Sequence, residues 1–150
     1  MIEPSILYYC KYQERCHKEV RNKLYELGFT SSTVELQISE LIAEGVLNEA
    51  RFAASFARGK FRIKGWGRVK IRQQLKLRGI SDYCIKKAFG QIDPDEYALC
   101  LEKYTVKKLA ELRSERNVLV RKAKLYRYLL QKGYEADLIN DAIKEHLPAK

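Results

Sequence analysis

Leu24, Leu75 and Leu129 are each followed four residues later by a glycine and then an apolar residue: Gly28–Phe29, Gly79–Ile80 and Gly133–Tyr134. A glycine just past a helix end adopts left-handed backbone, and the apolar residue after it folds back onto a leucine in the last turn. The three glycines are 51 and 54 residues apart, and a second set of stops, Gly45 and Gly90, is 45 apart. Periods of this size describe tandem helical units, each too small to bury its apolar face alone.

Start signals agree with the stops. Ser32 with Glu35 reads as a capping box opening a helix with Val34, Ile38, Leu41 and Ile42 on one face. Asn48 is placed to cap a helix carrying Phe52, Ala53, Phe56 and Ala57 as a buried stripe. Asp93, Pro94 and Glu96 supply an N-cap, a first-turn proline and a reciprocal acid. Ser81 or Asp82 caps a short helix with Ile85, Ala88 and Phe89. No alternating strand pattern competes.

The expected fold is all-α: three tandem three-helix repeats in one domain over residues 1–150, at about 4–45, 46–90 and 91–147. Helix breaks fall near Tyr12, around Gly65 and Gly67, and from Arg113 to Asn117. Links of a few residues are too short for independently tumbling domains, so an elongated, slightly curved stack is expected.

Hydrophobic content of 46% beside 32% charged residues fits a folded chain, and only three prolines favour long helices. No run approaches the roughly 20 apolar residues of a membrane span, and no leader pattern is seen. A soluble, cytoplasmic protein that does not engage membranes is expected. Cys10, Cys16, Cys84 and Cys100 form no Cys-x-x-Cys pair. Cys10, Cys16 and His17 cluster in sequence, but His146 is the only other histidine, short of a closed zinc set. No metal, cofactor or catalytic residue is expected, and the cysteines read as buried or half-buried thiols.

Function is written in the charge. Between Glu49 and Asp82 no acid interrupts ten cations: Arg51, Arg58, Lys60, Arg62, Lys64, Arg68, Lys70, Arg72, Lys76 and Arg78. Removing these ten from 29 Lys and Arg leaves 19, matching the 19 Asp and Glu, so this stretch carries the whole net charge of +10. Charge gathered this way is an electrostatic footprint for phosphate or an acidic partner. On a helix from about Gly67 to Arg78, Ile71 and Leu75 face the core while Arg68, Arg72 and Lys76 form a ridge at i, i+4. Arg58, Lys60, Arg62 and Lys64 extend that ridge, and the helix N-terminus at Gly67 or Arg68 is a ready anion site. Gly65 and Gly67 either bring backbone close to a partner or serve as linker residues. Trp66 between them either stacks on an unpaired base or anchors the core, and Phe61 and Ile63 are open to both roles. Tyr8, Tyr9, Tyr12 and Tyr25 read as amphipathic packing residues. Arg113, Arg116, Arg121, Lys122, Lys124 and Arg127 are diluted by Glu111 and Glu115 and read as a solvated face. Arg116, Arg121, Lys124 and Arg127 are its candidate second binding surface.

Gly45-Val46-Leu47-Asn48-Glu49-Ala50-Arg51-Phe52-Ala53 resembles the glycine-apolar-leucine-acid/amide-x-x-arginine-phenylalanine-alanine signature of RecX regulatory proteins. Lys64-Gly65-Trp66-Gly67-Arg68, Ile71-Arg72-Gln73-Gln74-Leu75 and Arg78-Gly79-Ile80 resemble that family's next block. The likeness is strongest from about Gly45 to Phe89. Cys16 and Val20 stand where the family commonly has serine and leucine, and Gln74 where glutamate is usual. The resemblance implies a mainly negative modulator of the recombinase RecA. It would bind in the groove of the RecA–single-stranded DNA filament and restrain its extension, ATP turnover and strand exchange. The implied partners are the RecA filament and single-stranded DNA, with duplex DNA as a further candidate, and a monomer is expected. Charge alone equally supports a non-specific nucleic-acid binder. A helix-turn-helix transcription factor using Arg68, Gln73 and Gln74 is a further alternative, but a threefold repeat is surplus to such a module and no dimerisation heptad is visible.

Overall fold

The structure is a computed structural model and describes residues 1–149. Among them nine α-helices and no strand are found. The first three helices are α1 (Pro4–Tyr12), α2 (His17–Glu26) and α3 (Ser31–Ala43), followed by α4 (Glu49–Gly59), which runs on into a π-helical turn, Lys60–Lys64. Next come α5 (Arg68–Leu77) and α6 (Asp82–Phe89), then α7 (Pro94–Glu111), α8 (Val118–Lys132) and α9 (Ala136–His146). The all-α expectation holds, and the helix breaks fall where the sequence puts them, except that the π turn carries α4 on to the edge of Gly65.

The leucine–glycine endings are formed as expected. Gly28, Gly79 and Gly133 have φ of 94°, 76° and 97°. Phe29, Ile80 and Tyr134 return their amides to the carbonyls of Leu24, Leu75 and Leu129 at 3.2, 3.1 and 3.2 Å. The second set of stops divides. Gly45 repeats the ending, with φ 72° and Val46 N–H on the Leu41 carbonyl at 3.0 Å. Gly90 stays right-handed at φ −61°, so α6 ends without the left-handed turn.

Asn48, Ser81 and Asp93 cap as expected: their side-chain oxygens accept from Arg51 N at 2.9 Å, Cys84 N at 3.3 Å and Glu96 N at 2.9 Å. The Ser32–Glu35 box does not form. Helix α3 starts earlier, with Thr30 as N-cap, because Glu35 is drawn to Arg21 in a two-pronged pair at 2.9 and 3.1 Å. Ile42 is exposed, one position off the stripe of Val34, Ile38 and Leu41.

The chain divides into two compact units that cut across the three-helix groups. The first holds Met1–Arg58 with Gln74–Gln91, and the second Gly59–Gln73 with the chain from Ile92 onward. Helix α5 therefore gives Arg68–Gln73 to the second unit and Gln74–Leu77 to the first. In the first unit Ile6, Cys10, Val20, Leu24, Val34, Ile38, Leu41 and Leu47 form one core cluster. Phe29 and Val46 pack against it, so the residues closing the helix endings also close the core. Each fully buried Leu, Val or Ile contributes about 1.5–3 kcal/mol. Arg51 fixes the turn before α4, donating to Glu14 at 2.6 Å and to the Gly45 and Val46 carbonyls at 2.9 Å. In the second unit Tyr97, Leu101 and Thr105 of α7, Leu125 and Leu129 of α8, Tyr134, and Ile139 and Ala142 of α9 are buried. Phe61 and Ile71 are buried as well.

Candidate nucleic-acid interface

The acid-free run falls on α4, the π turn and α5, and its ten cations part into two kinds. Arg51, Arg68 and Arg78 are engaged within the fold. Arg78 donates to the Gln74 backbone and side-chain oxygens at 3.0 and 3.1 Å and lies 4.8 Å from the Phe56 ring centre. Arg68 pairs with Glu135 at 2.8 Å and lies 3.8 Å over the Tyr97 ring. Arg68 is thus held inside the second unit, and the expected ridge of three equivalent cations on α5 is not formed. Arg72 is exposed, and Lys76, in the first unit, meets Asp82 at 3.0 Å.

Arg58, Arg62 and Lys64 are exposed. Arg58, in the first unit, donates to the Gln91 side chain at 3.1 Å, a neutral partner that leaves its charge uncancelled. In the second unit Arg62 lies 3.9 Å from Glu96, and both side chains are more than half exposed. A pair of that kind contributes little and exchanges readily for another anion. Lys60 and Lys70 bring their ammonium groups to 5.0 and 4.7 Å from the Trp66 ring centre. Trp66 is half-buried. Phe61 is core, whereas Ile63 is 82% exposed. Lys70, absent from the expected binding set, belongs with Trp66; its place in the cation run was the available signal.

The helix N-terminus at Gly67 is not an anion site. Its amides are taken up internally: Gly67 N–H donates to the Lys132 carbonyl at 2.7 Å, Arg68 N–H to the Tyr97 hydroxyl at 3.0 Å and Val69 N–H to the Gly133 carbonyl at 2.9 Å. The positive end of α5 therefore meets the negative end of α8. Nor do Gly65 and Gly67 act as linker residues or reach toward a partner. A Cβ on Gly65 would overlap the Tyr104 ring, and one on Gly67 would overlap the Gly133 carbonyl. Tyr97 donates to Glu135 at 2.5 Å, and Tyr134 lies 3.2 Å from the Gly65 carbonyl and 3.3 Å from Cys100 Sγ. Burial, then the Glu135 carboxylate, drives the Tyr97 hydroxyl far above its ordinary value; burial does the same for Tyr134. No spacing rule pointed to Glu135, which simply follows the third stop.

Of the candidate second face, Arg116, Lys124 and Arg127 are exposed, while Arg121 is half-buried with its Nε enclosed. Glu115 lies 3.9 Å from Lys124 and Glu111 3.7 Å from Lys108, so acids interleave there as the sequence suggests.

Cys10, Cys16 and Cys84 are buried free thiols and Cys100 is half-buried. Among the described residues one group has ligand atoms close enough to share a cation, Glu102, Glu145 and His146, all within 4.8 Å. A 2.7 Å hydrogen bond between His146 Nε2 and Glu102 accounts for the closest approach. Among the described residues no helix is long and apolar enough to cross a membrane. Tyr8 and Tyr12 are 70% exposed rather than packed, and Tyr25 is exposed too.

Two family domains match this chain: the second three-helix domain of RecX over residues 48–88, and the third over residues 101–143. The regulatory protein RecX of Prosthecochloris aestuarii is 29% identical over 139 residues, covering 93% of this chain and 89% of that protein. That of Clostridium perfringens (strain SM101 / Type A) is 33% identical over 138 residues; the match takes in 87% of this chain and 61% of that protein. The crystal structure of RecX from Lactobacillus salivarius superposes with a TM-score of 0.83 at 27% identity, covering 95% of this chain and 92% of that one. A second crystal structure of regulatory protein RecX gives 0.84 at 26% identity, covering 95% and 70%. With both family domains in register on this helical framework, the chain belongs to the RecX family of regulatory proteins.

Proposed function

We propose that this protein regulates RecA, mainly negatively, by seating in the groove of the RecA–single-stranded DNA filament. There it restrains filament extension, ATP turnover and strand exchange, acting as a cytoplasmic monomer without a cofactor. The observation carrying this reading is the confinement of the whole net charge to residues 51–78, wholly inside the family's second domain. In the first unit the exposed Arg58 and Lys76 would face the phosphates or an acidic surface of the filament; in the second unit so would the exposed Arg62, Lys64 and Arg72, with Lys60 and Lys70 around Trp66. Arg68 supports this surface from within, and Arg116, Arg121, Lys124 and Arg127 form a second contact that would let one molecule touch successive subunits.

The test compares binding to single-stranded DNA with binding to a RecA filament locked by a non-hydrolysable ATP analogue, across a salt titration. For bare DNA, log affinity should fall with log salt at about −0.7 per neutralised phosphate. Tighter and less salt-sensitive binding to the filament is the expected result. Equal affinity and equal slope in both series would overturn the RecA reading and leave a general single-strand binder. A triple variant, Arg62→Glu, Lys64→Glu and Arg72→Glu, should lose at least tenfold in filament affinity with its melting temperature kept.

A further inference from the structure

Helix α1 has two faces. Ile6 and Cys10, one turn apart, enter the core of the first unit, while Tyr8 and Tyr12, also one turn apart, stand out into solvent. The two rings have centroids 6.1 Å apart and are tilted by 36°, and each residue is 70% exposed, so ring surface is open to solvent. Beside them lies a groove of about 820 Å³. Tyr9 is built into it with a fixed cation: the Arg15 guanidinium lies 3.7 Å over the Tyr9 ring while its Nε donates to the Tyr9 carbonyl at 3.0 Å. Lys23, from α2, brings a second cation to 5.6 Å from the same ring. No carboxylate lines the groove. Glu26 meets Lys23 at 4.0 Å from outside it.

We infer that this groove is a second nucleic-acid site, in which Tyr8 and Tyr12 stack on unpaired bases while Arg15 and Lys23 hold the adjoining phosphates. Aromatic faces accept any base, and cations beside them follow the backbone; together they give sequence-tolerant single-strand binding. The occupant is a strand rather than a protein because both charged wall residues are positive and the tyrosine rings of Tyr8, Tyr9 and Tyr12 dominate the wall over the aliphatic Pro4 and Leu27. The site lies outside residues 51–78, so it stands whether or not the basic run seats on RecA.

The experiment uses the full chain and an oligo(dT) strand, without RecA. The double variant Tyr8→Ala/Tyr12→Ala should bind about a hundredfold more weakly, since each of the two stacked bases contributes about tenfold, while the slope of log affinity against log salt stays the same. Tyr8→Phe/Tyr12→Phe should bind like the parent, because the ring and not the hydroxyl stacks. On an abasic strand the parent and the alanine variant should bind alike. Should the alanine variant fold poorly, photo-crosslinking of the unmodified protein to a 5-iodouracil strand decides, with adducts expected on the α1 peptide. Unchanged oligo(dT) affinity in a folded alanine variant, or crosslinks that avoid α1, would overturn the site. So would a variant that keeps oligo(dT) affinity and loses only its hold on the filament, which would make the occupant a protein. Failure of the parent to bind oligo(dT) at all would overturn the groove while leaving the RecA reading standing.

Discussion

Gly67 and Gly133 sit back to back in the second unit, where the start of α5 meets the end of α8. Gly67 N–H reaches the Lys132 carbonyl at 2.7 Å, and a side chain on either glycine would enter the other's backbone or the Cβ of Lys70. Alanine at Gly67 should therefore cost about 1–3 kcal/mol, the scale of overpacking a closed contact. Alanine at Gly133 should cost about 1 kcal/mol more, because its φ of 97° adds left-handed strain. Gly28→Ala isolates that strain, having φ 94° and open space, and Gly59→Ala, helical and unhindered, should be neutral or stabilising. Urea denaturation of the four variants gives the ranking. A Gly67→Ala protein as stable as Gly59→Ala would remove the idea that these helix ends lock.

Arg68 and Glu135 form the unit's partly buried ion pair, with side chains 28% and 29% exposed. Arg68 also covers the Tyr97 ring, so its removal loses packing as well as charge. Arg68→Ala and Glu135→Ala should each destabilise by about 1–3 kcal/mol, and a double-mutant cycle should show a coupling of about 1 kcal/mol or more. Additive losses would mean that each acts alone. It follows that charge reversal at Arg68 disturbs the fold, and that Arg62, Lys64 and Arg72 are the residues on which binding is cleanly tested.

Much of the fold was legible because local rules decided it. The pattern from Leu24 to Phe29, repeated at Leu75 and Leu129, needs only neighbours in sequence, and so do the caps at Asn48, Ser81 and Asp93. Gly90 broke the pattern because Gln91 follows it, with no apolar residue to fold back. Ser32 and Glu35 failed for a different reason: Arg21, 14 residues away, offered Glu35 a stronger partner than a backbone amide. The site was legible as charge and not as geometry. Spacing puts Arg68, Arg72 and Lys76 on one ridge. It cannot reveal that Glu135, 67 residues on, claims the first of them, or that Lys132 and Gly133 cover the amides behind it. Tyr8 and Tyr12 share the mirror-image problem: helical spacing shows which residues lie together, but not which face turns outward.

Cys10 and Cys16 are both buried in the first unit, and burial is the leading reason their thiols lie above the ordinary range. Arg15 pulls Cys10 back only in part. A raised pKa leaves less thiolate, and the thiolate is the reactive form. Iodoacetamide at about pH 8 should therefore leave both residues unmodified in the folded protein. Labelling should appear with added urea in step with the loss of helical signal. Rapid labelling of either residue without denaturant, read by mass spectrometry of its peptide, would contradict their burial.

Tyr97 and Tyr134 make stability sensitive to alkali. Each hydroxyl is held protonated by burial, Tyr97 also by Glu135 and Tyr134 by Cys100, whereas an unfolded tyrosine ionises near its ordinary value of about 10. Above that pH the unfolded chain holds fewer protons than the native one, so stability falls as pH rises. Below it the full contribution is present. Lys132 works in the opposite sense, since burial lowers its pKa and its unfolded form keeps the proton longer; the tyrosines are displaced much further and set the direction. Urea midpoints should be flat through neutral pH and decline beyond about pH 10. Tyr97→Phe should be about 1–2 kcal/mol less stable at pH 7, having lost the hydroxyl between Arg68 N–H and Glu135, and should decline less steeply in alkali. A variant whose pH profile runs parallel to the parent's would show that Tyr97 ionises as easily in the fold as out of it.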